Sequence, residues 1–534
     1  RVPVRDTEKD PASLEHPSLS ASSLPLSSVI MPPVALETNC TFPDGLDSVP
    51  PAAAVTKKPN AYNDATEAWR RNIREDGTFV TDSHGNRPDW FWTGKGPDSG
   101  CPGMREDGTI SHLPLPNLSH CSRQEAMDYF DNIWTVTEVL FSSLQGEEVF
   151  YRPPYHNLRH PLIFYYGHPA ALYVNKLRVA GVLTEPVNAY FENIFETGVD
   201  EMSWDDLSKN DMLWPSVREV TEYRRTVYQL VKNVILGHPC LGTAPITWDS
   251  PAWALFMSFE HENIHTETSS VLMRELPLDC VRRPKWWPGY HASVTPSDMA
   301  FMVNFPCNDM LGVPGGDVIV GKPLDFPSFG WDNEYGRREF HVREFSASKY
   351  LISNGEFLEF VKDGGYRKEQ YWTKDGWMWR TFRNAKKPTF WVWAGPQGKM
   401  DFKLRLIFEE VELPLALPAV VNLHEAKAYC SWLSEKHGLN GQKEYRLLSE
   451  PEHHRLRNVH EVDKDGLPIC DPVMELSGEE IRDMHNINLA FGSESAVNAF
   501  KPSSRGFCDV FGNVWQWCED NFAALPNRYM HMPI

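Results

Sequence analysis

The sequence predicts two domains of different class: a bundle of four long helices plus accessories over about residues 120–290, and an irregular α+β domain over 310–534. Three observations predict it. Between about 120 and 285, apolar residues recur at helix-compatible intervals in long segments separated by Gly and Pro. After Pro284-Lys-Trp-Trp-Pro-Gly289 the composition turns to Gly, Trp and short segments with sparse periodicity. Two histidines, His261 and His265, stand four residues apart in a segment free of Pro and Gly, so on a helix they share one face, about 40° apart around the axis.

Residues 1–60 are rich in Ser, Pro and Ala, with Pro32-Pro33 and Pro50-Pro51, and read as a disordered leader; 61–119 form an N-terminal extension. Helices are expected over Arg123 to Leu144, Pro169 to Val182, Pro186 to Glu196, Ser216 to Leu236 and Ser250 to Leu276. Gly167 and Pro169 would interrupt a continuous helix, which puts His168 at the start of one whose first turn holds Pro169.

His261-Glu262-Asn263-Ile264-His265 has the form of a zinc-protease motif, but the extended pattern would need Gly at 268 and His at 271, where the chain has Thr268 and Val271. A metal site needs a third ligand. His168, on an earlier helix, is the candidate, because a bundle builds an interior metal site from facing helices. His160 and His156 compete for the role. Glu267 points about 200° away from His265 on a regular helix. Three neutral imidazoles with open positions suit a divalent first-row metal, with zinc and iron both open on ligand type alone. Arg218, Tyr223 and Arg224 have the chemistry to meet a substrate carboxylate and could equally be solvated helix residues. His485 reads as structural, and Trp515 and Trp517 as core aromatics.

The chain carries 52 basic and 72 acidic residues, a formal charge of -20, which argues against nucleic acid or an anionic membrane as partner. No apolar run approaches the roughly 18 residues of a membrane span. The ten cysteines are thinly spread and form no C-x-x-C, so reduced thiols and a cytoplasmic location are expected.

In the second half, Val313-Pro-Gly-Gly-Asp-Val-Ile-Val-Gly321, Tyr350-Leu-Ile-Ser-Asn-Gly-Glu-Phe-Leu-Glu-Phe-Val361, Trp372-Thr-Lys-Asp-Gly-Trp377, Tyr445-Arg-Leu-Leu-Ser-Glu-Pro-Glu452 and Gly512-Asn-Val-Trp-Gln-Trp517 resemble, in order, blocks of a formylglycine-generating-enzyme (sulfatase-modifying-factor) domain of C-type-lectin-like fold. A DinB-like four-helix bundle with a histidine and an H-x-x-x-H pair, joined to such a domain, resembles the non-haem iron sulfoxide synthases of ergothioneine and ovothiol biosynthesis. The wording around His168 and His261 is most similar to the ovothiol (5-histidylcysteine sulfoxide synthase) branch. The resemblance implies Fe(II) held by His168, His261 and His265, with L-histidine, L-cysteine and O2 as substrates and oxidative C–S bond formation with sulfoxidation as the reaction. Ile264 stands where ergothioneine-type relatives often carry a polar residue, which favours plain histidine.

The family's closing blocks, with a tyrosine poised near iron, are not found after Asp520, and Tyr529 is not in that tyrosine's context. The catalytic residue is therefore left unassigned, the second domain is expected to be C-terminally incomplete, and a non-catalytic metal-binding paralogue is the alternative. The methyltransferase domain that many ovothiol synthases carry is also not found.

Overall fold

The computed structural model describes residues 4–6, 91–155, 159–196, 213–242, 244–295, 304–439, 441, 443–457, 485–503, 505–523 and 525. His156, Cys40, Cys470, Tyr529 and most of the expected leader lie outside the described residues.

Four long helices pack in a ring: α1 (Arg123–Phe141) on α4 (Trp253–Arg274), α4 on α2 (Leu162–Val179), α2 on α3 (Val217–Gly237), and α3 back on α1. Capping sets two of the starts. Ser122 and Ser216 accept the N3 backbone N–H, while Glu125 and Glu219 reach back to the cap N–H, satisfying two otherwise orphaned donors at each end. A short helix, Ala189–Ile194, is capped by Asn188 and lies against α2.

One expectation is corrected. The chain does not break at Gly167-His168-Pro169: α2 begins at Leu162 and carries Pro169 inside it, so His168 sits mid-helix. Residues 162–174 of this helix are all buried, and tertiary packing outweighs the loss of one backbone hydrogen bond at Pro169. The neighbouring carbonyl, Tyr166 O, accepts a hydrogen bond from Arg224 Nη1 at 3.0 Å. Gly167 has its own reason: a Cβ there would stand 2.6 Å from the Phe195 ring.

The helical core is aromatic. Phe130 packs on Trp134, Tyr173, Tyr228 and Phe259 with ring centroids 5.3 to 5.8 Å apart. It continues into the second half through Trp253 on Phe329 at 5.0 Å. No helix among the described residues is long and apolar enough to cross a membrane.

The second half is built of small antiparallel sheets and short helices. β2 (Met310–Val313), β5 (Phe345–Ser348), β1 (Val4–Asp6) and β9 (Lys443–Tyr445) form a sheet in that order, with Val4 opposite both Ser346 and Tyr445. Val4–Asp6 falls within the expected disordered leader; its pairing is made of backbone bonds that no local periodicity announces. β3 (Gly316–Val320) pairs with β4 (Arg338–Val342), and β6 (Trp391–Trp393), β7 (Phe402–Arg405) and β8 (Glu410–Glu412) make a third sheet. Helices α5 (Asn354–Lys362) and α7 (Leu423–Lys436) bury Phe357, Phe360, Tyr429 and Trp432 in a separate core, with α6 (Lys374–Phe382) beside them.

Trp515 and Trp517 correct the expectation of core aromatics. They are 77% and 52% exposed, because residues 511–523 run without helix or strand and none of them is buried, and Trp517 is held there by donating Nε1–H to the Val421 carbonyl at 3.0 Å. His485 packs its ring edge-on to Phe511 at 6.0 Å. The described cysteines are free thiols.

The two halves are bolted at the C-terminal end of α4. Arg274 pairs with Glu494 at 2.5 Å and donates Nε–H to the Arg405 carbonyl at 2.6 Å, while Arg405 Nη2 donates to the Leu276 carbonyl at 2.9 Å. The helix bearing His261 and His265 is thereby fixed against the α+β half.

Candidate metal centre

His168, His261 and His265 are brought together, their ligand atoms all within 4.8 Å of one another. His261 Nε2 lies 3.1 Å from His168 Nε2 and 3.0 Å from His265 Nε2. The i, i+4 pair comes from the unbroken α4, and His168 faces it from α2.

The protonation pattern suits this cluster to a cation. The Nδ1 of His168 faces the carbonyl of Phe195, so that nitrogen carries the proton and Nε2 presents a bare lone pair. His261 Nε2 then holds either one proton or one lone pair. With a proton it complements His168 and not His265, and with a lone pair it complements His265 at most. One of the two close contacts is always mismatched between neutral rings alone. A bound cation removes the mismatch, since all three Nε2 lone pairs then point at it, and imidazole nitrogens bound at about 2.1 Å and at right angles lie about 3.0 Å apart. The Phe195 carbonyl behind His168 is the outer partner that fixes tautomer and ring orientation in such sites.

Burial keeps the rings neutral. It pushes the His168 imidazole down to about 4 against the raising effect of the Phe195 carbonyl. It also lowers His261 and His265 well below the usual histidine value, with the neighbouring imidazoles adding to the effect. Neutral imidazole is the ligating form.

The competitors stand apart. His160 is buried against Phe164 at 4.3 Å and Trp214 at 5.8 Å and is not among the converging ligand atoms. Glu267 is on the exposed side of α4. Tyr165 brings its ring to 5.7 Å from that of His265, on the flank of the cluster.

Glu262 has no access to the cluster as a hydrolytic base. It is 0% exposed, accepts the Tyr173 hydroxyl at 3.0 Å on Oε2, and pairs through Oε1 with Arg224 Nη2 at 3.5 Å. Arg224 is also 0% exposed, with Glu138 Oε1 3.9 Å from its Nε and the Trp134 ring 4.2 Å from its guanidinium carbon. Glu138 in turn accepts the Thr93 N–H at 3.1 and 3.2 Å. Burial raises both carboxyls, and the guanidinium pulls them back.

Arg224, a candidate for a substrate carboxylate on sequence grounds, is therefore enclosed in the helical core. Tyr223 is buried against Phe191 at 5.3 Å, and Arg218 is exposed. This charged triad went unread in the sequence, although a signal was present: Arg224 interrupts the apolar stripe Val217, Val220, Val227, Val231, and Glu138 interrupts Ile133 to Phe141. The Phe195 carbonyl left no such signal.

Residues 297–531 match the sulfatase-modifying factor enzyme 1-like domain, so the α+β half is formylglycine-generating-enzyme-like. Among curated proteins, the chain is 28% identical over 191 residues to the hercynine oxygenase of Mycolicibacterium smegmatis, covering 34% of this chain and 39% of that protein. It is 27% identical over 213 residues to the hercynine oxygenase of Mycolicibacterium thermoresistibile, covering 39% and 43%. To the formylglycine-generating enzyme of Thermomonospora curvata it is 25% identical over 240 residues, covering 40% and 72%. The chain thus spans about two fifths of the length of the hercynine oxygenases it matches.

Proposed function

We propose that this chain is a non-haem Fe(II), O2-dependent sulfoxide synthase that joins the sulfur of cysteine to the imidazole ring of histidine, forming 5-histidylcysteine sulfoxide as in ovothiol biosynthesis. The observation that carries the reading is the convergence of three buried Nε2 atoms, with His168 locked by the Phe195 carbonyl. Its similarity to proteins named oxygenases supports an oxidative role.

His168, His261 and His265 would hold the iron. When bound, the metal supplies O2 activation at positions left open by three protein ligands. The overall reaction balances: the thiol S–H and one ring C–H are lost, a C–S bond forms, one oxygen atom of O2 goes to the sulfoxide and the other leaves as water. C–S coupling and sulfoxidation each remove two electrons, which together reduce one O2. The chain's own contribution is to keep three imidazoles neutral and aimed, and to keep Glu262 out of the site so that no hydrolytic base stands beside the metal.

A second reading, with hercynine as the imidazole substrate, is favoured by the names of the relatives. Against it stands Ile264, which is 39% exposed beside His265 and offers hydrocarbon where a polar group would suit a trimethylammonium.

The test is anaerobic Fe(II) reconstitution of the purified chain, then O2 uptake and product mass with cysteine plus either histidine or hercynine. A histidine–cysteine sulfoxide that disappears in His261→Ala carries the proposal. Product from hercynine alone selects the second reading, and iron binding without product from either rejects both as activities of this chain.

A further inference from the structure

We propose that Arg224 is a positioning residue for the three-histidine cluster, tying the helix of His168 to the helix of His261 and His265 from the core side. This rests on the reading of the cluster as a metal site. One guanidinium reaches both helices next to their ligands. Nη1 donates to the Tyr166 carbonyl at 3.0 Å, two residues before His168, and Nη2 pairs at 3.5 Å with Glu262, the residue after His261. Tyr173 of α2 closes the same bridge by donating its hydroxyl to the other oxygen of Glu262 at 3.0 Å. From α1, Glu138 stands 3.9 Å from Arg224 Nε. The cation also lies over the rings of Trp134 and Tyr166, at 4.2 and 4.9 Å, which adds cation–π attraction.

Two features separate positioning from mere stability. A fully buried ion pair gains little over apolar residues of the same size, so the bundle would cohere at least as well without charge at these positions. What the triad does supply is direction, because the planar fork of an arginine fixes where its partners lie and a lysine cannot span both helices. The place where it acts is also where α2 is weakest. Pro169 has no N–H to offer the preceding turn, and Arg224 fastens the carbonyl beside that gap, two residues before His168. Metal–ligand distances tolerate only about 0.2 Å, so a helix free to slide at this point would open the cluster.

Co(II) is the probe, titrated without O2 or substrates into the purified chain, reading affinity and visible absorption well below each protein's melting temperature. The variants are Arg224→Lys and an uncharged triple variant, Glu138→Gln, Arg224→Met, Glu262→Gln. Both are expected to fold, as judged by far-UV circular dichroism and a cooperative melt, yet to bind Co(II) about 10- to 100-fold more weakly and with an altered absorption band. Wild-type affinity and spectrum in either folded variant overturns the proposal, as does failure of both to fold, which makes the triad structural alone. Absence of His261-dependent Co(II) binding in the wild-type chain removes the metal-site reading and this inference together.

Discussion

Phe195 holds His168 in two ways at once: its carbonyl accepts a hydrogen bond from Nδ1–H, and its ring lies against the bare backbone of Gly167, where a Cβ would stand 2.6 Å from ring carbons. Gly167→Ala must displace Phe195, and the carbonyl moves with it. The expected outcome is a folded protein destabilised by about 1–3 kcal/mol through overpacking. Its metal affinity should fall by about 10-fold or more because the outer partner of His168 is lost. Isothermal titration with Co(II) beside a thermal melt checks it; unchanged affinity would mean that the Phe195 carbonyl does not tune the site.

Glu262 marks the difference between this cluster and a zinc protease. Its carboxylate faces Tyr173 and Arg224 in a fully buried environment, so Glu262→Gln should alter stability and not hydrolysis. Removing one partner of a buried pair costs about 3–5 kcal/mol, and Gln retains part of this by accepting the Tyr173 hydroxyl. A lowered melting temperature, with no peptide cleavage by the wild-type chain loaded with Zn(II), is the expected result. Cleavage that vanishes in Glu262→Gln would restore the protease reading.

A pH effect on stability is expected from the α+β half. Glu425 caps α7 through the Asn422 N–H at 2.9 Å and accepts the Tyr366 hydroxyl at 2.5 Å, and burial pushes its carboxyl from 4.5 up to about 7. The folded state therefore holds this proton more tightly than the unfolded chain does. Its contribution to stability is full below about pH 4.5, declines as pH rises toward 7, and is level above. Denaturation midpoints at pH 5 and pH 7.5 for wild type and Glu425→Gln should show a loss with rising pH that is smaller in the variant, where the other buried carboxyls, Glu138 and Glu262, still contribute. A parallel trend in both would assign the effect to other groups.

Much of the molecule was legible because the signals were local. The apolar periodicity between Gly and Pro breaks places α1, α3 and α4 within a few residues of their observed limits. The i, i+4 histidines were legible locally, whereas local context ranked His168 only weakly above the equally Pro-flanked His160 and the family resemblance chose it; the three converge. The errors came where tertiary contacts decide. Pro169 is a local helix breaker, and only the burial of α2 and the Arg224 contact across the bundle carry the helix through it. Arg224 and Glu138 look like surface charges until their places in apolar stripes are matched across two helices. Trp515 and Trp517 are apolar enough for a core, but no element covers them among the described residues.

Metal loading should stabilise the helical half, and this tests the cluster without any assumption about the reaction. A ligand that binds only the folded state adds about 2.7 kcal/mol when present at 100 times its dissociation constant. Fe(II) or Co(II) should therefore raise the melting temperature, and a chelator should reverse the gain. His168→Ala, His261→Ala and His265→Ala should each abolish the increment, because two imidazoles no longer enclose the ion. In the metal-free state the same substitutions relieve the mismatched contact at His261 Nε2 and should cost less than an ordinary buried truncation. His160→Ala should keep the increment, since His160 stands outside the converging atoms. A metal-dependent shift retained in His261→Ala and lost in His160→Ala would move the site to His160.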